Sequence, residues 1–147
     1  MQKAELSDST LSALVLSLGS NDNAMTNFTY ALDKLATKGN LQCLSRWYGA
    51  DYTGKSSANY HNLAAVLTLA YPAVGQDMLN WLGKLEQECG RQRAHNTKAH
   101  NYLVALDIDV LAVQTIDCPD FVIIEERYPF KVHEWHCLAG WLDDALR

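Results

Sequence analysis

Apolar and polar positions alternate along the chain in a pattern that predicts short strands and amphipathic helices. An apolar run at residues 13–18 predicts a buried first strand, and the polar residues 19–23 that follow end it and supply helix caps. A helix comes next and ends near Gly39. Its apolar stripe, at spacings of three and four residues, consists of Met25, Phe28, Leu32 and Leu35.

The rest of the chain continues this alternation. Strands are predicted at residues 41–48, 60–70 and 106–113, with a polar loop at 49–59 and a shorter apolar segment at 121–124 as a possible fifth strand. A second helix is predicted from Asp77 to Gly90, with a stripe formed by Met78, Leu82, Leu85 and Cys89. A C-terminal helix is suggested by Trp135, Leu138 and Leu142.

The order strand, helix, strand, strand, helix, strand predicts an α+β fold, a ferredoxin-like sandwich with a C-terminal extension. We expect a βαββαβ core with the helices on one face of the sheet, in a single domain over residues 1–147. Many unrelated functions use this arrangement, so the fold alone does not decide the function.

Two aspartates interrupt the fourth strand, whose sequence is Leu106-Asp107-Ile108-Asp109-Val110-Leu111-Ala112-Val113. Alternation on a strand places Asp107 and Asp109 on the same face. Two neighbouring carboxylates repel each other and are costly to bury, whereas a divalent cation needs them. Their spacing is suited to Mg²⁺, which binds carboxylates together with water and phosphate. The alternative is a strand face that is simply solvated.

Composition and charge narrow the function classes. The chain has 48% hydrophobic and 20% charged residues, which is ordinary for a globular protein. A net charge of −5 gives no electrostatic reason to expect binding to nucleic acid or to an anionic membrane. No apolar stretch reaches the roughly twenty residues of a membrane span, and residues 1–10 do not resemble a signal peptide. We therefore expect a cytoplasmic protein.

A polar stretch at residues 91–101 contains Arg91, Arg93 and Lys98. Cations beside a metal site stabilise transferring phosphoryl groups, although a solvated basic turn at a helix C-terminus is an equally simple interpretation. Neither a P-loop nor a dinucleotide-binding glycine pattern occurs.

The cysteines show no metal-binding or disulfide pattern. Cys43, Cys89, Cys118 and Cys137 are most simply reduced thiols. A zinc site formed by His133, His136 and Cys137 has suitable helical spacing but lacks a fourth ligand, so partly buried helix residues are the favoured interpretation.

Five short motifs follow one another in order between residues 13 and 113. They are Leu18-Gly19-Ser20-Asn21, Ser45-Arg46-Trp47-Tyr48, Tyr60-His61-Asn62-Leu63-Ala64-Ala65-Val66, Leu85-Glu86 followed by Gly90-Arg91-Gln92-Arg93, and Leu106-Asp107-Ile108-Asp109-Val110-Leu111. Each is weak singly, but together the chain resembles the 6-hydroxymethyl-7,8-dihydropterin pyrophosphokinases of folate biosynthesis, as a divergent member.

The resemblance implies an ATP-dependent enzyme that transfers diphosphate to the hydroxymethyl group of a reduced pterin. It implies two Mg²⁺ ions bound by Asp107 and Asp109, which together with Arg91 would be the catalytic residues. The implied partners are ATP and hydroxymethyldihydropterin, with no nucleic acid and no membrane, and the expected state is a monomer. Arg91 would lie on a loop that closes over the site and excludes water.

The resemblance also implies substrate contacts. Asn62 would hydrogen-bond the pterin edge, and Tyr60 and Phe130 would stack on the two pterin faces. The implied ATP-binding residues are Arg91, Arg93 and Arg127.

The chain departs from the family pattern in several places. Val104 stands where the family has the arginine of Gly-Pro-Arg, Gly83 stands where a nucleotide-contacting side chain is common, and a later His-Pro element is not recognisable. Two alternatives therefore stay open beside the active enzyme. One is a diverged paralogue that binds a pterin or nucleotide without this transfer, and the other is a ferredoxin-like regulatory module.

Overall fold

The computed structural model of the chain describes residues 1–49, 59–90 and 103–145. In these ranges the helices are α1 (Lys3–Asp8), α2 (Ala24–Ala36), α3 (Gly75–Glu88) and α4 (Val132–Ala145). The strands are β1 (Thr10–Ser20), β2 (Gly39–Gly49), β3 (Tyr60–Val74), β4 (Asp107–Thr115) and β5 (Cys118–Ile123). None of the helices among these residues is long and apolar enough to cross a membrane.

The described strands form one antiparallel sheet in the order β2-β3-β1-β4-β5. This α+β architecture is consistent with the expected ferredoxin-like arrangement. The register pairs Gly19 of β1 with Asn62 of β3 on one side and with Asp107 of β4 on the other. Three motif residues that are far apart in the sequence therefore form one row across the three central strands, at the end of β1 and near the starts of β3 and β4.

Both faces of the sheet are covered, which explains why β1 is apolar at consecutive positions. On one face Leu14, Leu16 and Leu18 pack in a buried cluster with residues of α2 and α3. On the other face Val15 packs in a second cluster that includes Leu138 of α4. The two core helices α2 and α3 thus lie on one face of the sheet, as expected, and the C-terminal helix α4, whose position was not predicted, covers the opposite face.

Helix α1 was not predicted, because its sequence is polar and Leu6 is its only buried residue. The helix packs on the start of α3. The backbone N–H of Gly75 donates a hydrogen bond to the carbonyl oxygen of Ser9 at 2.8 Å, and a Cβ atom at position 75 would lie 1.8 Å from the Leu6 carbonyl oxygen. The close approach of α1 therefore requires glycine at this position.

Strand β3 runs to Val74, beyond the predicted end at residue 70, and includes Pro72. Proline is tolerated here because β2 pairs with β3 only as far as Leu69, so that one side of the strand is an edge at Pro72.

Candidate functional site

Two cavities meet at the start of β4. The larger has a volume of about 620 Å³ and lies between α1, α3 and β4, and the smaller has about 50 Å³ and lies over β1 and β3. Among the described residues, both are lined by Asp107, Asp109 and Lys131. The two aspartates that the sequence singled out thus form a wall common to both cavities.

The surroundings of Asp109 disfavour its negative charge. Burial raises the pKa of Asp109, and the neighbouring charge of Asp107 raises it further. The guanidinium of Arg127 opposes this rise in pKa, with its Nη2 atom 2.9 Å from Oδ1 of Asp109. Because the net pKa shift is upward, the site favours additional positive charge. The donor set therefore fits a hard divalent cation.

The smaller cavity contains a buried amide. The side chain of Asn62 is 4% exposed, and the described residues provide no hydrogen-bond partner for it. Gly19 lies beside it in the sheet, and a Cβ atom there would come within 3.1 Å of Asn62 Oδ1 and 3.3 Å of the Tyr60 ring. Glycine at this position therefore leaves the amide and the tyrosine ring open to the cavity. A buried amide without a partner is costly unless a ligand completes its hydrogen bonds.

The backbone between the two aspartates is held by α3. Oε2 of Glu86 accepts a hydrogen bond from the N–H of Ile108 at 3.0 Å. The segment leading into β4 is held by α2 and by the residues between β1 and α2. Asn21 exchanges hydrogen bonds with the backbone of Val104, and Nδ2 of Asn27 donates to the carbonyl oxygen of Ala105 at 2.9 Å. Asn21, in the Leu-Gly-Ser-Asn motif, thus positions the strand that carries Asp107 and Asp109.

Lys131 and His133 line the smaller cavity, but sequence reasoning did not assign them to it. Burial lowers the pKa of His133, and the charge of Lys131 lowers it further. Both residues come from the segment that begins α4, so only the packing of α4 on the sheet brings them to the site.

The possible zinc ligands do not converge. His136 stacks on the ring of Trp47, with centroids 6.5 Å apart, whereas Cys137 is buried in the apolar cluster under α4. Burial raises the pKa of Cys137 to about 11, which keeps it a thiol. In the described part of the chain, no three His, Cys, Asp or Glu residues form a group that could hold a metal ion.

The other residues that the sequence analysis assigned to the site differ in where the structure places them. Tyr60 lines the smaller cavity with Asn62, and Arg127 lines the larger one. Phe130 is buried between Tyr128 and Trp135 and is not among the described residues that line either cavity, so its stacking role stays a prediction. Arg91, Arg93 and Lys98, together with residues 50–58 of the predicted loop, lie outside the described residues.

The antiparallel sheet and its paired carboxylates define an α+β protein with two acidic side chains between two cavities. The family model for 7,8-dihydro-6-hydroxymethylpterin-pyrophosphokinase matches residues 15–135, and the chain belongs to this family. Membership implies a pyrophosphokinase of folate biosynthesis. No curated protein matches the chain significantly. Helix α1 lies outside the matched residues, although Lys3 and Leu6 line the larger cavity.

Proposed function

We propose that this protein transfers diphosphate from ATP to the hydroxymethyl group of 6-hydroxymethyl-7,8-dihydropterin in a Mg²⁺-dependent reaction. The observation that carries the proposal is the wall formed by Asp107 and Asp109 between the two cavities. Each substrate then has its own cavity, and the carboxylates lie where the substrates meet. A cytoplasmic location and a monomeric state stay predictions.

The larger cavity suits the nucleotide. Its volume of about 620 Å³ lies within the range of small-molecule sites. Apolar residues of α3 line it together with Arg127, so that it offers both a surface for a base and a cation for phosphate oxygens. In this proposal Arg127 binds ATP, and Arg91 and Arg93 add the contacts that the family resemblance implies.

The smaller cavity suits one edge of the pterin. A pterin edge has both hydrogen-bond donors and acceptors, which a side-chain amide such as Asn62 can match. Tyr60 provides an aromatic ring beside that amide. Because about 50 Å³ is less than the volume of a pterin ring, we infer that side chains at the rim move apart when the ligand enters.

The carboxylates of Asp107 and Asp109 would hold the metal ions, and the family resemblance implies two of them. When bound, Mg²⁺ supplies positive charge to the phosphate oxygens of ATP. The closeness of the two carboxylates supports this role, since a bound cation would relieve the electrostatic repulsion between them.

The reaction itself balances without a covalent enzyme intermediate. The hydroxymethyl oxygen of the pterin forms a bond to the β-phosphorus of ATP, and the bond between that phosphorus and the oxygen bridging to the α-phosphorus breaks. AMP leaves, and the hydroxyl proton is released. The protein contributes mainly by orientation, with Asn62 and Tyr60 fixing the acceptor and Arg127 the donor.

The decisive experiment is identification of the products. Protein, ATP, Mg²⁺ and hydroxymethyldihydropterin should yield one AMP for each diphosphorylated pterin, and EDTA should abolish the reaction. Asp107→Asn should lose this activity, while Asp33→Asn, on the exposed side of α2, should keep it. Formation of ADP, or pterin binding without AMP, would contradict the proposal, and the latter would favour a paralogue that does not catalyse the transfer.

A further inference from the structure

Two hydrogen bonds fix the backbone of Lys131 at the start of α4. Its N–H donates a hydrogen bond to Oε1 of Glu134 at 2.9 Å, and its carbonyl oxygen accepts one from the N–H of Trp135 at 2.9 Å. Glu134 is itself buried. The first turn of the helix therefore sets the position from which the lysine side chain extends.

The side chain of Lys131 is accessible and borders both cavities. Arg127, by contrast, lines the larger cavity but not the smaller one. Among the described residues, Lys131 is therefore the basic side chain at the junction.

We propose that Lys131 contacts the diphosphate group during its transfer from the nucleotide to the pterin. This inference rests on the proposed function, which places one substrate in each cavity. The group being transferred must then lie at the common wall. The carboxylates there repel phosphate oxygens unless a metal ion lies between them, whereas the ammonium group of Lys131 donates to those oxygens directly.

Lys131 forms no bond to phosphorus in this proposal and stays protonated throughout. It stabilises negative charge that shifts between the two substrates, so its removal should affect the transfer step more than ground-state binding of either substrate. A residue that only supported the fold would instead change stability or both KM values.

The test compares three variants with the wild-type protein. Lys131→Met should lower kcat by about 10²–10³-fold, as expected for loss of one charge-stabilising donor, and should change the KM values for ATP and pterin by less than about threefold. Lys131→Arg keeps the charge and should recover most of the loss. Lys34→Met changes an exposed lysine of α2 that lies over Tyr30, and it should leave kcat unchanged. A kcat within threefold of the wild-type value in Lys131→Met, or an equal loss in Lys34→Met, would overturn the inference.

A binding measurement separates this inference from the proposed function. Inorganic diphosphate with Mg²⁺, which has no nucleotide or pterin part to anchor it in either cavity, should depend more on Lys131 than the substrates do. It should bind Lys131→Met at least about tenfold more weakly than the wild-type protein, and equal affinity would overturn the inference. If the wild-type protein formed no AMP, the proposed function would fail. Weaker diphosphate binding by the variant would then still support the contact.

Discussion

Oε2 of Glu86 in α3 accepts a hydrogen bond from the backbone N–H of Ile108, the residue between the two aspartates of β4. Strand β5 pairs with β4 only from Ala112 onward, so it provides no partner for this N–H. The carboxylate, 6% exposed, replaces that missing strand partner. A helix side chain thus fixes the backbone from which Asp107 and Asp109 extend.

Glu86→Ala should therefore destabilise the protein. The substitution leaves a buried N–H without an acceptor, which costs about 1–3 kcal/mol in the free energy of unfolding. Glu86→Gln keeps an acceptor oxygen in the same place and should lose less than half as much. Urea denaturation of both variants measures the difference, and equal stability of Glu86→Ala and the wild-type protein would contradict this role of the hydrogen bond.

The metal-free protein should be stabilised by Asp109→Asn. Because burial and Asp107 raise the pKa of Asp109, the folded protein binds this proton more readily than the unfolded chain does. Protonation of Asp109 thus stabilises the folded protein at low pH. This stabilisation is lost as the pH rises from about 4, the ordinary pKa of an aspartate, through the raised pKa of Asp109 in the folded protein. At pH 7 the variant should therefore have a higher Tm than the wild-type protein.

The pH dependence of this difference is the sharper part of the prediction. The Tm advantage of Asp109→Asn should disappear near pH 3.5, where the carboxyl group is protonated in both the folded and the unfolded protein. Added Mg²⁺ and ATP should stabilise the wild-type protein but not the variant. A constant Tm difference from pH 3.5 to pH 7 would show that the carboxylate charge is not its cause.

Asn62→Ala should separate binding from stability. Loss of the amide removes the hydrogen bonds expected with the pterin edge, so the Kd for a pterin should rise at least about tenfold, equivalent to about 1.4 kcal/mol. Because the described residues provide no partner for this amide, the free energy of unfolding should change by less than about 1 kcal/mol. Asn40→Ala on the exposed part of β2 serves as the control. Unchanged pterin affinity, measured by fluorescence titration, would disprove the assignment.

Gly83→Ala should stabilise α3. The position is within the helix, and a Cβ atom there would meet no atom within 4 Å. Alanine should therefore increase the free energy of unfolding by about 0.5–1 kcal/mol. Gly140→Ala in α4 is equally open and should give a similar gain away from the cavities. A loss of stability in Gly83→Ala alone would indicate that the open wall of the larger cavity cannot accept a methyl group.

The strands and helices whose apolar residues follow a regular spacing were predictable from the sequence. The apolar runs indicated β1 to β4, and the spacing in α2 and α3 indicated two helices on one face. Helix α1 could not be found in this way, because its one buried residue, Leu6, gives no periodic signal. The position of α4 on the opposite face is a consequence of tertiary packing, which alternation within one segment does not reveal.

The candidate site was predictable only where a residue type is unusual in its sequence context. Asp107 and Asp109 stood out because carboxylates are rare in apolar strands. Asn62 became notable through the family resemblance, and its buried amide supports that choice. Lys131 and His133 gave no such signal, since a lysine and a histidine at the start of a helix are ordinary residues.

The most direct test of the central claim is calorimetric titration with α,β-methylene-ATP in Mg²⁺, with and without the pterin. The wild-type protein should bind the analogue, and the affinity should fall at least about a hundredfold in Asp109→Asn and in the absence of Mg²⁺. Equal affinity of the wild-type protein and Asp109→Asn for the analogue in Mg²⁺ would contradict the assignment of these carboxylates to metal-bound nucleotide.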